Sequence, residues 1–376
     1  MDKGTDTQII LNGEYSAEKY DTQKGEIRPV AAEYRNGKTI IRAKIFGYDS
    51  LLFKLTAGKA EAGIETESPA AALTPVADNL FDYELTEPNV LLLDQAQYKL
   101  DTDADFSPAE EILRLDNICR KKLKMPERGG RIMQPYITGS VPATHALTLK
   151  FTFESEIGVQ GAKLALEDAD KAQILFNGNA VTATVDGWFT DRAIGTVPLP
   201  EIVPGENVLV VTIPFGLSTY TEDMFILGDF GVKVIGRKAK LIALPEKIAF
   251  GDITRQGFAF YGGNLKYKLS AASSNGRLTI RANYFRGTLI GVFVDGKRAG
   301  SIIYPPYTLT VDGLEDGTHE IELELFTHRA NCFGPVHNAD EKCSWQGPNA
   351  WRTQAHEWTY EYALKPVGIL SAPCID

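Results

Sequence analysis

Residues that bind metals or form disulfides are scarce in this chain, which has 4 cysteines and 5 histidines among 376 residues. No Cys-x-x-Cys pair occurs, and a disulfide-stapled fold is excluded because such folds are small and rich in cysteine. Cys332 and Cys343 could close a short disulfide, although scattered free thiols fit the spacing better. Together with His337 these cysteines match no zinc pattern, and a fourth ligand would have to be His328 or His356.

The chain also lacks a basic surface and a membrane-spanning run. Its formal net charge of −10 and its pI of about 5.2 argue against binding to nucleic acid or to anionic membranes. The densest basic run, Lys121, Lys122 and Lys124, falls on a predicted helix, where we expect a solvated face. No apolar run is long enough to cross a bilayer. The N-terminal residues 1–6 have no apolar core, which favours a cytoplasmic location if Met1 is the native start, or else a piece of a larger protein.

Helical patterns and catalytic motifs are equally rare. No phosphate loop, dinucleotide motif or Ser-His-Asp arrangement is visible in the sequence. One helix is predicted over residues 108–124, because Ser107-Pro108-Ala109-Glu110 has the form of a capping box and apolar residues then recur with a helical period. We expect this helix to dock between domains and to have no catalytic role.

Strand patterns fill the rest of the chain, whose length corresponds to two or three domains. Residues 1–75 form the pattern of a small β-sandwich fragment with an Asn36-Gly37 hairpin. Residues 76–237, which include the helix, and residues 238–376 each contain a larger β module. The predicted fold class is therefore all-β with a small N-terminal β-domain and one prominent helix.

The two larger modules repeat the same order of elements. In the first, a strand ends at Asn177-Gly178, and a turn at 204–207 leads into a long alternating strand. In the second, a strand ends at Asp295-Gly296, and a turn at 314–319 leads into a long alternating strand. This repeated order predicts a duplicated unit, which we interpret as tandem jelly-roll β-sandwiches.

These motifs resemble those of galactose-binding-like jelly rolls, the sugar-binding domains of glycoside hydrolase family 2 and of large α-L-rhamnosidase-like enzymes. The segments 87–94, 227–231 and 331–338 are similar to the C-terminal accessory regions of such bacterial glycosidases. The resemblance implies galactose-binding-like sandwiches with carbohydrate as the ligand and no cofactor, and it leaves room for a structural calcium ion. It also implies an upstream catalytic domain of the same polypeptide, a (β/α)₈ barrel.

The sequence does not contain that barrel, which needs about 250 residues of alternating strands and helices. The preferred function is therefore non-catalytic: carbohydrate-recognition and scaffolding modules from the C-terminal part of a bacterial glycoside hydrolase. Acids such as Glu154, Asp191 and Asp229 are plentiful, but the sequence offers no way to pair two of them across a sugar. Two alternatives stay open, a stand-alone glycoside hydrolase with carboxylates in an inter-domain cleft and purely structural sandwiches.

Aromatic side chains mark the candidate carbohydrate-binding residues. Trp345 and Trp351 lie in a polar stretch, broken by Gly and Pro, whose Trp spacings are typical of neither a strand nor one helix face. A ring there could cover the C–H face of a pyranose while His337 and Arg352 bond its hydroxyls. The competing interpretation is that these rings pack the core or cover its edge.

Trp188 is a separate candidate, with Asp186 before it and Asp191 and Arg192 after it. An exposed Trp in a loop could stack on a sugar while the charged neighbours bond vicinal hydroxyls. The alternative is an inter-domain contact in which Arg192 pairs with Asp191 or Asp186, since Trp and Arg are enriched at both kinds of interface.

Overall fold

The computed structural model describes residues 4–22, 25–47, 49–59, 73–127, 141–219, 221–340 and 355–376. Antiparallel sheets dominate, and the predicted all-β sandwich architecture is confirmed. The chain divides into two compact units. Unit 1 comprises Met1–Asn79, Tyr267–Leu325 and Ile369–Asp376, and unit 2 comprises Leu80–Lys266 and Phe326–Gly368.

The N-terminal part of unit 1 consists of two three-stranded sheets, β1-β5-β4 and β3-β2-β6. The strands are β1 (Thr5–Asn12), β2 (Tyr15–Asp21), β3 (Glu26–Val30), β4 (Ala32–Arg35), β5 (Lys38–Ile45) and β6 (Leu52–Ala57). Ala17, Val30, Ala32 and Ile41 form the small core of this region. As expected, Asn36 and Gly37 form the tight turn between β4 and β5, both with positive φ.

The second part of unit 1 is a jelly-roll module, here called the second module. Its strands run in the orders β26-β25-β28-β22 and β27-β23-β30-β7. Their bounds are β7 (Thr74–Pro75), β22 (Leu265–Ser273), β23 (Arg277–Arg281), β24 (Phe285–Arg286), β25 (Leu289–Val294), β26 (Lys297–Ile302), β27 (Thr308–Asp312), β28 (Gly317–Phe326), β29 (Gly368–Ile369) and β30 (Cys374–Ile375).

Unit 2 contains the first module, in which one sheet includes the order β15-β14-β18-β12-β10-β11 and the other the order β16-β17-β13-β19-β9. The strands of unit 2 are β8 (Asp82–Leu85), β9 (Asn89–Leu93), β10 (Gln95–Leu100), β11 (Ser107–Glu111), β12 (His145–Ser155), β13 (Lys163–Glu167), β14 (Gln173–Phe176), β15 (Asn179–Val181), β16 (Gly187–Phe189), β17 (Asp191–Pro198), β18 (Gly205–Phe215), β19 (Met224–Gly228), β20 (Gly231–Ile235) and β21 (Lys238–Ile242). Alternate residues of β12, among them Leu147, Leu149 and Phe151, point into the core because successive strand side chains face opposite sides.

The duplication predicted from sequence is visible in the hydrogen bonds of the two hairpins. Asn177 N–H donates to the Val208 carbonyl, and Val208 N–H donates to the Asn177 side chain, each at 2.8 Å. Asp295 repeats both bonds with Glu320, at 2.9 and 3.0 Å. The order β15-β14-β18-β12 likewise corresponds to β26-β25-β28-β22. The expected domain boundary at residue 237 falls inside unit 2, in the turn between β20 and β21.

The main helix, α1 (Ile112–Lys122), begins later than predicted. Ser107–Glu111 is strand β11, paired with β10, so the capping-box interpretation was wrong. The N-cap is instead the buried Glu111, whose carboxylate accepts from the backbone of Leu113 and Arg114 at 3.1 and 3.0 Å. Pairing with β10 outweighs the local signal because it satisfies more backbone groups than a cap does. The basic run is exposed, as expected. A short helix, α2, spans Ala330–Phe333.

Candidate functional site

The predicted carbohydrate-binding residues have different outcomes. Trp345, Trp351 and Arg352 lie outside the described residues. His337 is buried with 6% of its surface exposed, whereas Trp188 is 57% exposed. The structure therefore places His337 in a buried environment and Trp188 in an exposed one.

His337 belongs to a buried polar network. Its Nε2 lies 2.9 Å from an Asp94 carboxylate oxygen, and its Nδ1 lies 3.3 Å from the Glu361 carbonyl. The Tyr362 hydroxyl donates to the other Asp94 oxygen at 2.7 Å. Burial lowers the pKa of His337, but the hydrogen bond and the charge of Asp94 outweigh it and the net shift is upward. Because both ring nitrogens are engaged, His337 is poorly placed to bind a sugar.

The space beside this network is small. Asp94, Glu111, Asp223, His337 and Trp358 border a cavity of about 20 Å³, which suits one water molecule and excludes a sugar. Burial raises the pKa of Glu111 to about 7, despite the two backbone N–H groups that its carboxylate accepts. The arrangement can hold and share protons, but it offers no room for a substrate.

Trp358 is covered by its neighbours. The Arg114 guanidinium lies 4.2 Å from the centre of its ring, and the Tyr360 ring packs edge-on at 4.3 Å. Tyr360 in turn donates to Glu110 at 3.0 Å. This ring is therefore engaged within the protein.

Trp188 lies on a short hairpin formed by β16 and β17. Thr190, with φ of 62°, forms the tight turn, and Trp188 lies opposite Gly195. The next residue, Phe189, points inward and packs against Phe225 at 5.4 Å. Strand alternation therefore directs Trp188 outward.

Arg192 follows on the same hairpin and is exposed. Neither Asp186 nor Asp191, the two expected partners, forms an ion pair with it. The Asp186 carboxylate binds Lys163 at 2.7 Å and the Thr196 hydroxyl at 2.7 Å, and an Asp191 oxygen accepts from Ala193 N–H at 2.8 Å. Across the part of the chain that the structure describes, Arg192 makes no ion pair. Among the described residues its donors have no hydrogen-bond partner, so they can bond a ligand.

A larger cleft, which sequence reasoning missed, lies beside β12. This strand pairs with β10 through Lys150 and with β21 from Glu154 onward, which leaves residues 151–153 without a described strand partner on that edge. The resulting cleft has a volume of about 580 Å³ and is bordered by β9, β10, β20, β21 and Tyr362. No sequence signal indicates it, because the gap depends on where β10 ends and β21 joins.

One row of charges crosses the rim of this cleft. Lys233, Lys240, Glu154 and Glu206 lie directly opposite one another, in that order, on β20, β21, β12 and β18. Such opposed residues share one face of the sheet. The row therefore places two ammonium groups side by side and two carboxylates side by side.

Unit 1 contains a Ser-His-Asp arrangement that the sequence did not suggest. His319 Nδ1 lies 2.6 Å from Asp295, and its Nε2 lies 3.1 Å from the Ser273 hydroxyl and 2.8 Å from the Glu315 carbonyl. The Ser273 hydroxyl donates to the same carbonyl at 2.6 Å. Since a carbonyl only accepts, both groups donate to it, and Nε2 cannot serve as the base for Ser273. We interpret the arrangement as a structural clamp on the turn.

Neither a cluster of metal ligands nor a membrane-spanning helix occurs among the described residues. The described residues contain no group of three or more His, Cys, Asp or Glu placed to hold a metal ion, and the structural calcium ion stays a prediction. Cys332 is a free, buried thiol, and Cys343 lies outside the described residues. Among the helices that the structure describes, none has the length and apolar character needed to cross a membrane.

Comparison with solved structures returns glycoside hydrolases of both kinds named by the resemblance. A rhamnosidase from Novosphingobium sp. PP1Y matches at 15% identity and a TM-score of 0.25, over 63% of this chain and 23% of that chain. A GH2 β-galacturonidase from Eisenbergiella tayi matches at 12% identity and a TM-score of 0.24, over 67% and 38%. A Streptomyces avermitilis α-L-rhamnosidase matches at 11% identity and a TM-score of 0.27, over 99% and 36%.

These likenesses are weak, with TM-scores below 0.3. This chain corresponds to well under half of each of the three solved chains. No protein-family model and no curated protein matches the sequence.

Proposed function

We propose that this chain is a non-catalytic carbohydrate-recognition and scaffolding part of a bacterial glycoside hydrolase, acting beside a catalytic domain of the same polypeptide. The observation that carries the proposal is the exposed Trp188 ring on the β16–β17 hairpin, four residues from an Arg192 without an ion-pair partner among the described residues. An open aromatic face covers the C–H groups of a sugar ring, and a guanidinium donates to its hydroxyls.

The fold supports a scaffolding role rather than catalysis in a barrel. The described residues contain two α-helices, Ile112–Lys122 and Ala330–Phe333, whereas a (β/α)₈ barrel needs eight. Two sandwich modules built on one strand order present sheet faces on which a neighbouring domain can pack.

The test is a titration of neutral oligosaccharides, followed by NMR of the Trp188 indole N–H. One stacked ring contributes on the order of 1 kcal/mol, so we expect affinity in the millimolar range and its loss in Trp188→Ala. Trp188→Phe should retain part of the affinity because it keeps an aromatic face. Leu80→Ala, which removes another exposed apolar side chain of unit 2, is the matched control and should change nothing. An indole signal unmoved by every sugar would sink the proposal.

The alternative of a stand-alone hydrolase has one specific observation in its favour. Glu154 and Glu206 lie directly opposite each other and both border the cleft. Retaining glycosidases use two carboxyl groups about 5 Å apart. We expect no hydrolysis of aryl-glycosides by this chain, and turnover that disappears in Glu206→Gln would replace our proposal with the alternative.

A further inference from the structure

The cleft beside β12 lies away from Trp188. β16, which carries Trp188, and β9, which borders the cleft, are the two edges of one five-stranded sheet. Four strand spacings place these edges roughly 19 Å apart. We propose that the cleft binds an acidic saccharide, a sugar that carries a carboxylate, and that Arg237 binds the carboxylate. The inference that the ligand is a saccharide rests on the proposed function. The inference that the ligand is an anion rests on the charges of the cleft itself.

The cleft gathers positive charge in an acidic protein. Its cationic residues are Lys150, Lys233, Arg237, Lys238 and Lys240, and its acids are Asp94, Glu154 and Glu206. Lys240 is bound to Glu156, and Asp94 is engaged by His337 and Tyr362. Among the residues that the structure describes, the other four cations have no ion-pair partner, and they outnumber Glu154 and Glu206 by two. A bound anion would offset this local excess of positive charge.

Arg237 is held in place for such an anion. Its Nη2 donates to the Gln95 side chain at 3.1 Å, and its guanidinium lies 4.7 Å from the centre of the Tyr360 ring. Gln95 also donates to the Tyr360 carbonyl at 3.2 Å, which ties the two supports together. The residue is exposed, so its remaining donors face solvent. A planar guanidinium fixed in this way binds a carboxylate through two hydrogen bonds with little loss of side-chain entropy.

The rest of the cleft suits a sugar. A volume of about 580 Å³ falls in the range of small-ligand pockets and accommodates a disaccharide. Gln97 and Thr152 supply hydrogen-bonding groups for hydroxyls, and the exposed Ala109 and Ile235 supply apolar surface for C–H groups. The chemistry therefore combines an anion-binding rim with an amphipathic interior.

The experiment is calorimetric titration of the whole chain with cellobiouronate and, in parallel, with uncharged cellobiose. We expect measurable binding of the uronate that weakens as salt is added, because the attraction is ionic and the rim is exposed. Arg237→Ala should weaken uronate binding about tenfold or more, and Arg237→Lys should lie in between. Arg255→Ala removes the same charge from an exposed position outside the cleft and is the matched control.

The outcomes separate this inference from the proposed function. Trp188→Ala should leave uronate binding intact, since that ring belongs to the other edge of the sheet. Uronate binding without any neutral sugar at Trp188 would support the cleft and reject the Trp188 site. Absence of uronate binding, or equal affinity in Arg237→Ala, overturns the inference, as does inorganic phosphate that binds as tightly as the uronate. If Arg237→Ala does not fold by its amide NMR spectrum, the double variant Lys150→Ala, Lys238→Ala replaces it, and unchanged affinity there overturns the inference.

Discussion

The two jelly-roll modules share a strand order but place their charges differently. Unit 2, which contains the first module, buries Asp94, Glu111, Asp116, Arg120 and His337. The second module buries His319 and Glu324, and its ion pair between Arg277 and Asp312 is exposed. The buried charges of unit 2 surround helix α1 and the segments packed on it. The comparison teaches that one sandwich plan tolerates buried charge where an added helix and long loops supply partners for it.

The largest effect is expected at Asp116. Its oxygens accept from Arg120 Nε at 2.7 Å and from the Thr221 hydroxyl at 3.0 Å, and all three groups are buried. Asp116→Ala removes one partner of a buried ion pair, so we expect a loss of about 3–5 kcal/mol in the free energy of unfolding. Urea unfolding followed by circular dichroism measures it. Asp116→Asn keeps an acceptor and should cost less, and a loss below about 1 kcal/mol in the Ala variant contradicts the argument.

A smaller effect is expected in the first module, where the hairpin at Asn177-Gly178 is hydrogen-bonded to β18. We call this contact the hairpin joint. The fully buried Asn207 accepts from Asn177 at 3.0 Å and from Val203 N–H at 3.1 Å, and it donates to the Val203 carbonyl at 2.8 Å. Asn207→Ala should lower the free energy of unfolding by about 2 kcal/mol, because several buried polar groups lose partners. This joint contains no ionisable group, so the loss should be the same at pH 5 and pH 8. A pH-dependent loss would contradict the comparison.

The second module has a corresponding hairpin joint between the hairpin at Asp295-Gly296 and β28, and the stability of this joint should depend on pH. The hydrogen bond to Asp295 raises the pKa of His319, and the bond to His319 lowers the pKa of Asp295. The contribution of His319 is therefore complete below its ordinary value of about 6.5 and is lost as pH rises through its higher folded value. The contribution of Asp295 is lost only as pH falls through its lowered value.

NMR titration of the His319 ring measures this shift, and amide exchange in β28 reports the stability of the joint. Asp295→Asn should move the His319 pKa back toward its ordinary value, with the amides of β18 as an internal control in the other module. Titration of wild-type His319 at or below pH 6.5 would show that the clamp is not ionic.

The smallest effect is expected at the surface of the second module. Arg277 Nε lies 2.7 Å from Asp312, but both side chains are about half exposed or more. Asp312→Ala should cost about 0.5 kcal/mol, and high salt should abolish the difference. Urea unfolding alongside Asp116→Ala gives the contrast directly. A cost as large as that of Asp116→Ala would remove the distinction between the two modules.

The sequence predicted those parts of the fold that depend on neighbouring residues. Hairpin turns at Asn177-Gly178 and Asp295-Gly296 and the alternation of β12 were predicted correctly, because turn chemistry and burial of one strand face are local. The alternation of β28 holds as far as Leu323, but Glu324 is buried as well. The prediction for the start of α1 was wrong, because residues 107–111 pair with β10. A local capping signal carries no information about such a distant strand partner.

The candidate site depended far more on tertiary structure. Sequence alone determined that Trp188 and Arg192 share a turn-rich segment, since their spacing is local. Only the fold decided that Trp188 faces solvent and that His337 does not, because the partner of His337 is Asp94, 243 residues away. The cleft likewise exists only where β10 ends and β21 joins β12. Burial and strand pairing between distant segments are set by the packing of the whole chain, and local residue patterns do not encode them.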